Sequence, residues 1–227
     1  MPAPRSLFDV EQFRREPHRL AVVRAVTVPT LVLGSTQPAE VVNPDERRAR
    51  GVELARRRGG GGVVYVAAGD PLWLDCWIPR DDPLWNDDVA AAAEWVGAWW
   101  VDTLARLGVS GLAVHTGRAV PGDLGELICF AGRGPGEVFC AGQKVVGLSQ
   151  WRSREGALFS SCAYLHWDPV PMLTLLNLGE QTAEELALVL TPMAVGLAAL
   201  RPSIRDVAEV RDSLLASFPA FGVTPSA

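Results

Sequence analysis

Four consecutive glycines at positions 59–62 constrain the fold of this 227-residue chain more than any other stretch. They follow Arg56, Arg57 and Arg58 and precede a β-branched run that begins at Val63. Each glycine adds entropy to the unfolded backbone, so four together indicate positive φ angles or a close approach to the main chain. The segment predicts a loop that leads from basic residues into a strand. A tight turn without function is the alternative, although a turn requires fewer glycines.

A second segment places Lys144 at the entrance of a predicted strand, with Val145 next to it and Gly147 three residues on. Backbone N–H groups of a glycine loop and a single ammonium suit an anion such as a phosphate or an acyl phosphate. The two segments therefore predict that the protein binds an anion. The alternative for Lys144 alone is a lysine on the surface of a hairpin.

Together the two segments resemble the catalytic domain of the lipoate–protein ligase A family, which also contains octanoyltransferases and biotin ligases. In that family an Arg-Arg-x-Gly-Gly-Gly-x-Val loop and a Lys-Val-x-Gly strand bound the acyl-adenylate pocket. Residues 29–37 resemble the family's Thr-Val-x-Leu-Gly-x-x-Gln strand and turn, and residues 41–43 resemble its Glu-Val-Asn segment. The resemblance covers residues 20–170.

The resemblance implies roles for the residues of the two motifs. Lys144 would contact the acyl carbonyl and the α-phosphate and is the expected catalytic residue. Arg57 or Arg58 would bind the nucleotide or orient the loop. The remaining motif residues are expected to bind substrate or nucleotide: Gly60, Gly61, Gly62, Val63, Val145 and Gly147. The three histidines lack metal-ligand spacing, so no protein metal site is expected.

The activity that the resemblance implies is that of an ATP-dependent ligase working with Mg²⁺. It would activate lipoate or octanoate as acyl-AMP and transfer the acyl group to a lysine of an apo lipoyl-domain protein, an H protein or an E2 subunit. Because few residues follow Cys162, we expect one catalytic domain over 1–227 without the C-terminal accessory domain of two-domain ligases. Either a separate protein then supplies that domain, or the full ATP-dependent reaction does not occur.

A departure from the family pattern keeps other functions open. Val66 and Ala67 stand where the family usually has a His-Asp pair. One alternative is an ATP-independent octanoyl or lipoyl transferase that uses a thioester on Cys162. A buried, unreactive thiol is the competing interpretation of Cys162. The other alternative is a non-catalytic homologue that only binds the ligand.

The composition excludes several classes of protein. A net charge of −5 argues against a general nucleic-acid binder. The uncharged run 186–200 is too short for a membrane span and contains Pro192 and Gly196, so we interpret it as a buried helix. Four cysteines without CxxC spacing fit reduced thiols, and no secretory leader is evident, which favours a cytoplasmic protein.

The order of predicted elements favours an α+β fold, with a mixed, mostly antiparallel sheet and helices packed on one side. Asn43 and Pro44 start a first helix that ends near Gly51, and a long helix is predicted over 88–107. Two more helices are expected, one from a capping box at Thr182 and one over 203–218. Strands are predicted within 20–34 and at 63–66, 72–78, 111–115, 127–131, 138–140, 144–150 and 155–164.

Overall fold

The computed structural model describes residues 10–120 and 122–218, which form a mixed α+β domain. The strands of the described residues are β1 (Leu20–Val23), β2 (Thr30–Leu33), β3 (Glu53–Arg56), β4 (Val64–Val66), β5 (Leu72–Pro79), β6 (Leu112–Val114), β7 (Val138–Cys140), β8 (Gln143–Arg152) and β9 (Gly156–Ala163). The helices are α1 (Glu11–Arg14), α2 (Pro44–Ala49), α3 (Ala91–Arg106), α4 (Val170–Leu173), α5 (Ala183–Leu190), α6 (Leu197–Leu200) and α7 (Val207–Ser217).

The strands form two sheets. The larger sheet has the order β1-β5-β9-β8-β7-β6, and its neighbouring strands are antiparallel. The smaller sheet has the order β3-β2-β4, with β2 parallel to β3 and antiparallel to β4. These findings confirm the predicted α+β class with a mostly antiparallel sheet.

The parallel pair β2–β3 decides where the glycine loop lies. Helix α2 connects the two strands and begins where Asn43 accepts hydrogen bonds from the backbone N–H groups of Asp45 and Glu46. Leu33 at the end of β2 is paired with Arg56 at the end of β3. Because parallel strands end at the same edge, the turn after Leu33 and the glycine loop after Arg56 emerge side by side.

The larger sheet is covered on both faces. Helix α3 packs its Val96, Trp99 and Trp100 against one face, and Trp100 donates a hydrogen bond from its indole N–H to Ser161 of β9. Helix α7 packs beside α3. On the other face, Trp73 and Cys162 pack against the side chains of the smaller sheet. The cores on the two faces together hold the sheets and helices in one unit.

Three local predictions differ from the structure. Residues 127–131 are not a strand: Cys129–Ala131 form a 3₁₀ turn, preceded by a single bridge from Ile128 to Val63. Strand β3 lies within the arginine-rich segment and was not predicted. The run 186–200 is not one buried helix, because Pro192 cannot continue the hydrogen-bond ladder and Gly196 is extended. None of the described helices is long and apolar enough to cross a bilayer.

Candidate functional site

A cavity of about 600 Å³ lies between the glycine loop and β8. Its walls come from four parts of the chain: the turn after β2, the glycine loop, the segment from residue 125 to residue 137, and β8. The residues that matter for the chemistry are Gln37, Gly60, Gly61, Gly62, Glu126, Cys129, Arg133, Gly134, Glu137, Lys144, Leu148, Ser149 and Gln150.

The backbone of the glycine loop contacts Arg57, a buried residue that is 2% exposed. Its Nη2 donates to the carbonyl oxygens of Gly60 (2.7 Å) and Gly62 (2.8 Å). In a trans peptide the N–H points away from the C=O of the same unit, so the N–H of Gly61 points away from Arg57. Among the described residues, the N–H groups of Gly60, Gly61 and Gly62 have no acceptor. The side chain of Arg57 thus contacts the backbone of the loop, as a residue that orients the loop would.

At Gly59 and Gly62 the loop packs too closely against its neighbours for side chains larger than hydrogen. A Cβ on Gly62 would lie 2.5 Å from the backbone of Ile128, and a Cβ on Gly59 would lie 2.6 Å from the Oγ of Ser149. Gly61 has a φ of 92°, which an L-residue rarely adopts. Gly59 and Gly62 are thus explained by close approach and Gly61 by a positive φ, the two causes expected from the sequence, whereas a Cβ on Gly60 would meet no heavy atom within 4 Å.

Lys144 is the only lysine of the chain and is 1% exposed. Its Nζ lies 2.7 Å from Oε2 of Glu137 and donates to the carbonyl oxygen of Cys129 at 2.7 Å. The rings of Phe130 and Phe139 flank the ammonium, with centroids 5.7 and 5.9 Å from Nζ. An ammonium has three N–H donors, so one remains for a ligand in the cavity.

Glu137 is held by more than its ion pair with Lys144. Its Oε2 accepts from the backbone N–H of Gly134 at 2.6 Å, and its Oε1 accepts from the N–H of Leu148 at 3.2 Å. Burial raises the pKa of Glu137, while Lys144 and the two N–H groups oppose that rise. The carboxylate thus links a wall of the cavity to the strand that carries Lys144.

Gln37 connects two walls of the cavity. Its Oε1 accepts from the backbone N–H of Gly34 at 3.0 Å, and its Nε2 donates to the carbonyl oxygens of Glu126 and Leu127 at 3.0 Å. Gln37 lies in the segment 29–37 that resembles the family's strand and turn, and no role was predicted for it. The Gln at the end of the Thr-Val-x-Leu-Gly-x-x-Gln motif was the sequence signal that could have indicated this link between the two walls.

Ser149 has a buried Oγ without a hydrogen-bond partner among the described residues, and it lines the cavity. Its cross-strand neighbour Ser160 donates to Asp75 at 2.6 Å, and Asp75 also pairs with Arg24 at 2.6 Å. A polar row therefore crosses the sheet and ends at the buried hydroxyl of Ser149, which faces Gly59 of the glycine loop. No sequence pattern indicated this row.

The other expected site residues lie farther from the cavity. Arg58 is exposed, with its guanidinium 5.9 Å from the ring of Trp151. Val63 and Val145 are buried in the hydrophobic cores, and Gly147 faces the ring of Phe130. The structure therefore brings Gly60, Gly61, Gly62 and Lys144 together, with Arg57 behind the loop. It does not bring Arg58, Val63, Val145 or Gly147 to the cavity wall.

The cysteines and possible metal ligands can be placed in the same way. Cys162 is buried in the core, and burial raises the pKa of its thiol well above the ordinary value. Cys129 is half-buried and lines the cavity. In the part of the chain that the structure describes, no three His, Cys, Asp or Glu side chains are grouped to hold a metal ion.

Several solved structures share this fold. The bi-partite lipoate protein ligase of Thermoplasma acidophilum, described with its E2 lipoyl domain, matches with a TM-score of 0.72 and 19% identity over 95% of this chain and 76% of that chain. A putative lipoate protein ligase from the same organism with bound lipoic acid matches with a TM-score of 0.67 and 20% identity over 95% and 78% of the two chains. A lipoate-protein ligase A bound with ATP matches with a TM-score of 0.64 and 21% identity over 89% and 72%.

Identities of this size show a common fold, a lipoate–protein ligase-like catalytic fold. No curated protein has a significant sequence match to this chain. The model of the lipoyl protein ligase A/B catalytic domain, by contrast, matches residues 9–219, which is nearly the whole chain. The chain therefore belongs to the family of lipoyl protein ligase A/B catalytic domains.

Proposed function

We propose that this protein activates lipoate or octanoate as an acyl-AMP and transfers the acyl group to a lysine of an apo lipoyl-domain protein, an H protein or an E2 subunit. One observation carries the proposal: Gly60, Gly61 and Gly62, whose N–H groups have no acceptor among the described residues, line the same cavity as Lys144. Solved structures of similar fold hold lipoic acid or ATP, which supports both substrates.

The chemistry requires two displacements. In the first, a carboxylate oxygen of the fatty acid attacks the α-phosphorus of ATP, and pyrophosphate leaves. In the second, the acceptor amine attacks the acyl carbon, AMP leaves and the amine loses a proton. Loop N–H groups that need no reorganisation can bind the negative oxygens of the phosphate. The remaining N–H of Lys144 can bind the oxygen that lies between phosphorus and carbon.

Mg²⁺ would be held mainly by the phosphates of ATP, with Glu126 as the exposed carboxylate that lines the cavity. The ion would neutralise charge on the departing pyrophosphate. This arrangement agrees with the lack of a preformed group of metal ligands among the described residues. Mg²⁺ is thus proposed as an ion that arrives with the nucleotide.

A separate accessory-domain protein is part of the proposal. The bi-partite ligase of T. acidophilum has a fold similar to that of this chain. An assay of this chain alone therefore has a second arm, in which the partner subunit of such a ligase is added. A localisation in the cytoplasm fits the free cysteines of the described residues.

The experiment is intact mass spectrometry of an apo lipoyl domain incubated with the protein, lipoate or octanoate, ATP and Mg²⁺. A mass increase equal to the acyl amide that depends on ATP supports the proposal. Lys144→Ala should lower turnover by about 10²–10³-fold, the usual effect of removing a group that stabilises transition-state charge. Full activity of that folded variant would contradict the role of Lys144.

The thioester transferase is the second candidate, and the structure gives it less support. Cys162 lies in the core with a raised thiol pKa, and neither feature suits a nucleophile. The test uses an octanoyl acyl-carrier protein as donor without ATP. Transfer that is lost in Cys162→Ser would replace the ligase proposal with the transferase.

A further inference from the structure

The only lysine of this protein lies where the proposed acyl-AMP intermediate could acylate it. An acyl-AMP reacts with amines, and Lys144 borders the cavity in which the proposed adenylate forms. Twenty arginines supply the rest of the basic side chains, and a guanidinium stays protonated and does not act as an acyl acceptor. Among the side chains of this protein, Lys144 is therefore the main nitrogen that its own acyl-AMP could acylate.

The contacts of Lys144 oppose such a reaction. An amine attacks an acyl carbon with its lone pair, which an ammonium lacks. Glu137 holds the charged form through an ion pair of 2.7 Å in a site that is shielded from water, where a charge-assisted hydrogen bond is strong. The carbonyl oxygen of Cys129 takes a second N–H at 2.7 Å. Loss of a proton would break one of these contacts and leave Glu137 as a buried, unpaired charge.

Glu137 itself is fixed from two sides. The N–H of Gly134 belongs to the loop that walls the cavity, and the N–H of Leu148 belongs to the strand that carries Lys144. These bonds direct the carboxylate at Nζ. A flexible surface acid would not hold the pair in this way.

We propose that Glu137 is a positioning residue that keeps Lys144 as an ammonium, so that this lysine donates a hydrogen bond to the acyl-AMP without being acylated by it. The reaction that Glu137 prevents is attack of the Lys144 amine on the acyl carbon, with formation of an amide, departure of AMP and release of one proton. The acylation part of this proposal rests on the proposed function.

The first test needs no ligand and is therefore independent of the proposed function. The folded protein is treated with N-hydroxysuccinimidyl acetate, and peptide mass spectrometry compares the rate at Lys144 with the rate at the α-amino group of the same molecules. Glu137→Gln should raise this ratio about tenfold to a hundredfold, as expected when a charge-assisted bond that favours the ammonium is lost. An unchanged ratio would overturn the proposal.

A matched control separates this effect from a general opening of the cavity. Glu126→Gln also removes one carboxylate from the cavity wall, but that side chain does not contact Lys144, so the ratio should equal that of wild type. Circular dichroism and thermal melting identify a variant in which Lys144 is acetylated only because the protein is unfolded. If Glu137→Gln does not fold, Glu137→Asp replaces it, because the shorter side chain draws the carboxylate away from Nζ. A wild-type ratio in Glu137→Asp would then overturn the proposal.

The second test uses octanoate, ATP and Mg²⁺ and follows the mass of the enzyme itself. Glu137→Gln should gain one octanoyl group at Lys144, whereas wild type should transfer it only to the lipoyl domain. If wild type transfers and the variant is not modified, the protective role is wrong. If the reagent test succeeds but wild type forms no adenylate and transfers nothing, only the proposed function is overturned.

Discussion

Gly34 and Gly61 meet so closely that a Cβ at position 34 would overlap the carbonyl oxygen of Gly61. Gly34 begins the turn after β2, and Gly61 lies in the glycine loop after β3. The parallel pairing of these strands brings the two segments together, and the lack of a side chain at Gly34 lets them touch. One wall of the cavity thus depends on a backbone contact between two glycines.

Gly34→Ala should displace the glycine loop, because the added methyl group meets backbone atoms that cannot rotate away. We expect a loss of about 1–3 kcal/mol in the free energy of unfolding, measured in urea, together with weaker ligand binding. Gly60→Ala is the matched control, since a Cβ there meets no heavy atom within 4 Å. A greater loss of stability in Gly60→Ala than in Gly34→Ala would contradict this account of the loop.

Arg57→Met tests whether Arg57 acts through the loop. The substitution keeps much of the side-chain volume but leaves the carbonyl oxygens of Gly60 and Gly62 without their buried donor. We expect a loss of about 1–3 kcal/mol in unfolding free energy. Arg58→Met removes an exposed guanidinium and should cost about 1 kcal/mol at most. Equal losses in the two variants would show that Arg57 has no special part in holding the loop.

Ser149→Ala should affect ligand binding and Ser160→Ala should affect stability, although the two serines are cross-strand neighbours. Ser160 donates to buried Asp75, so its loss should cost about 1–3 kcal/mol of stability. Ser149 has no hydrogen-bond partner among the described residues, so Ser149→Ala should change stability by about 0.5 kcal/mol or less. Calorimetric titration with ATP and with octanoate should instead show weaker binding of the ligand whose oxygen meets Ser149. Unchanged affinity for both would exclude that contact.

Cys129 and Cys162 should differ in their reaction with iodoacetamide. Cys129 lines the cavity, whereas Cys162 is buried and burial raises the pKa of its thiol. Only the thiolate reacts, and a raised pKa means that less thiolate is present at any pH below it. Peptide mapping at pH 8 should therefore find Cys129 modified in the folded protein and Cys162 modified only after denaturation. Fast modification of Cys162 would restore it as a candidate nucleophile.

The sequence predicted the parts of the site that depend on local motifs. The resemblance to a known family implied that the glycine loop and Lys144 bound one pocket, and these residues do line one cavity. Arg57 contacts the backbone of the loop, and the expected role of Arg57 or Arg58 in orienting the loop or binding the nucleotide stays a prediction. The caps at Asn43 and Thr182 also form as predicted, because a cap is decided within four residues.

Features that depend on tertiary contacts were beyond the sequence analysis. The pairing of Glu137 with Lys144 depends on the register of β7 and β8, which contains an irregularity at Val138 and Phe139. The 3₁₀ turn at Cys129–Ala131 has the apolar character of a strand, but the close approach of Gly62 leaves room for only one bridge. The expected single domain over 1–227 and the lack of an accessory domain stay predictions.

The cavity lies at the seam between two sheets, since the smaller sheet supplies the glycine loop and the larger sheet supplies Lys144 and Ser149. A ligand that contacts both walls binds only when the two sheets are packed together, so its binding stabilises the folded state. Ligand at one hundred times its dissociation constant would add about 2.7 kcal/mol to the stability of the folded chain. Melting temperature can therefore rank fatty acids and nucleotides as ligands of this protein before any acceptor protein is known.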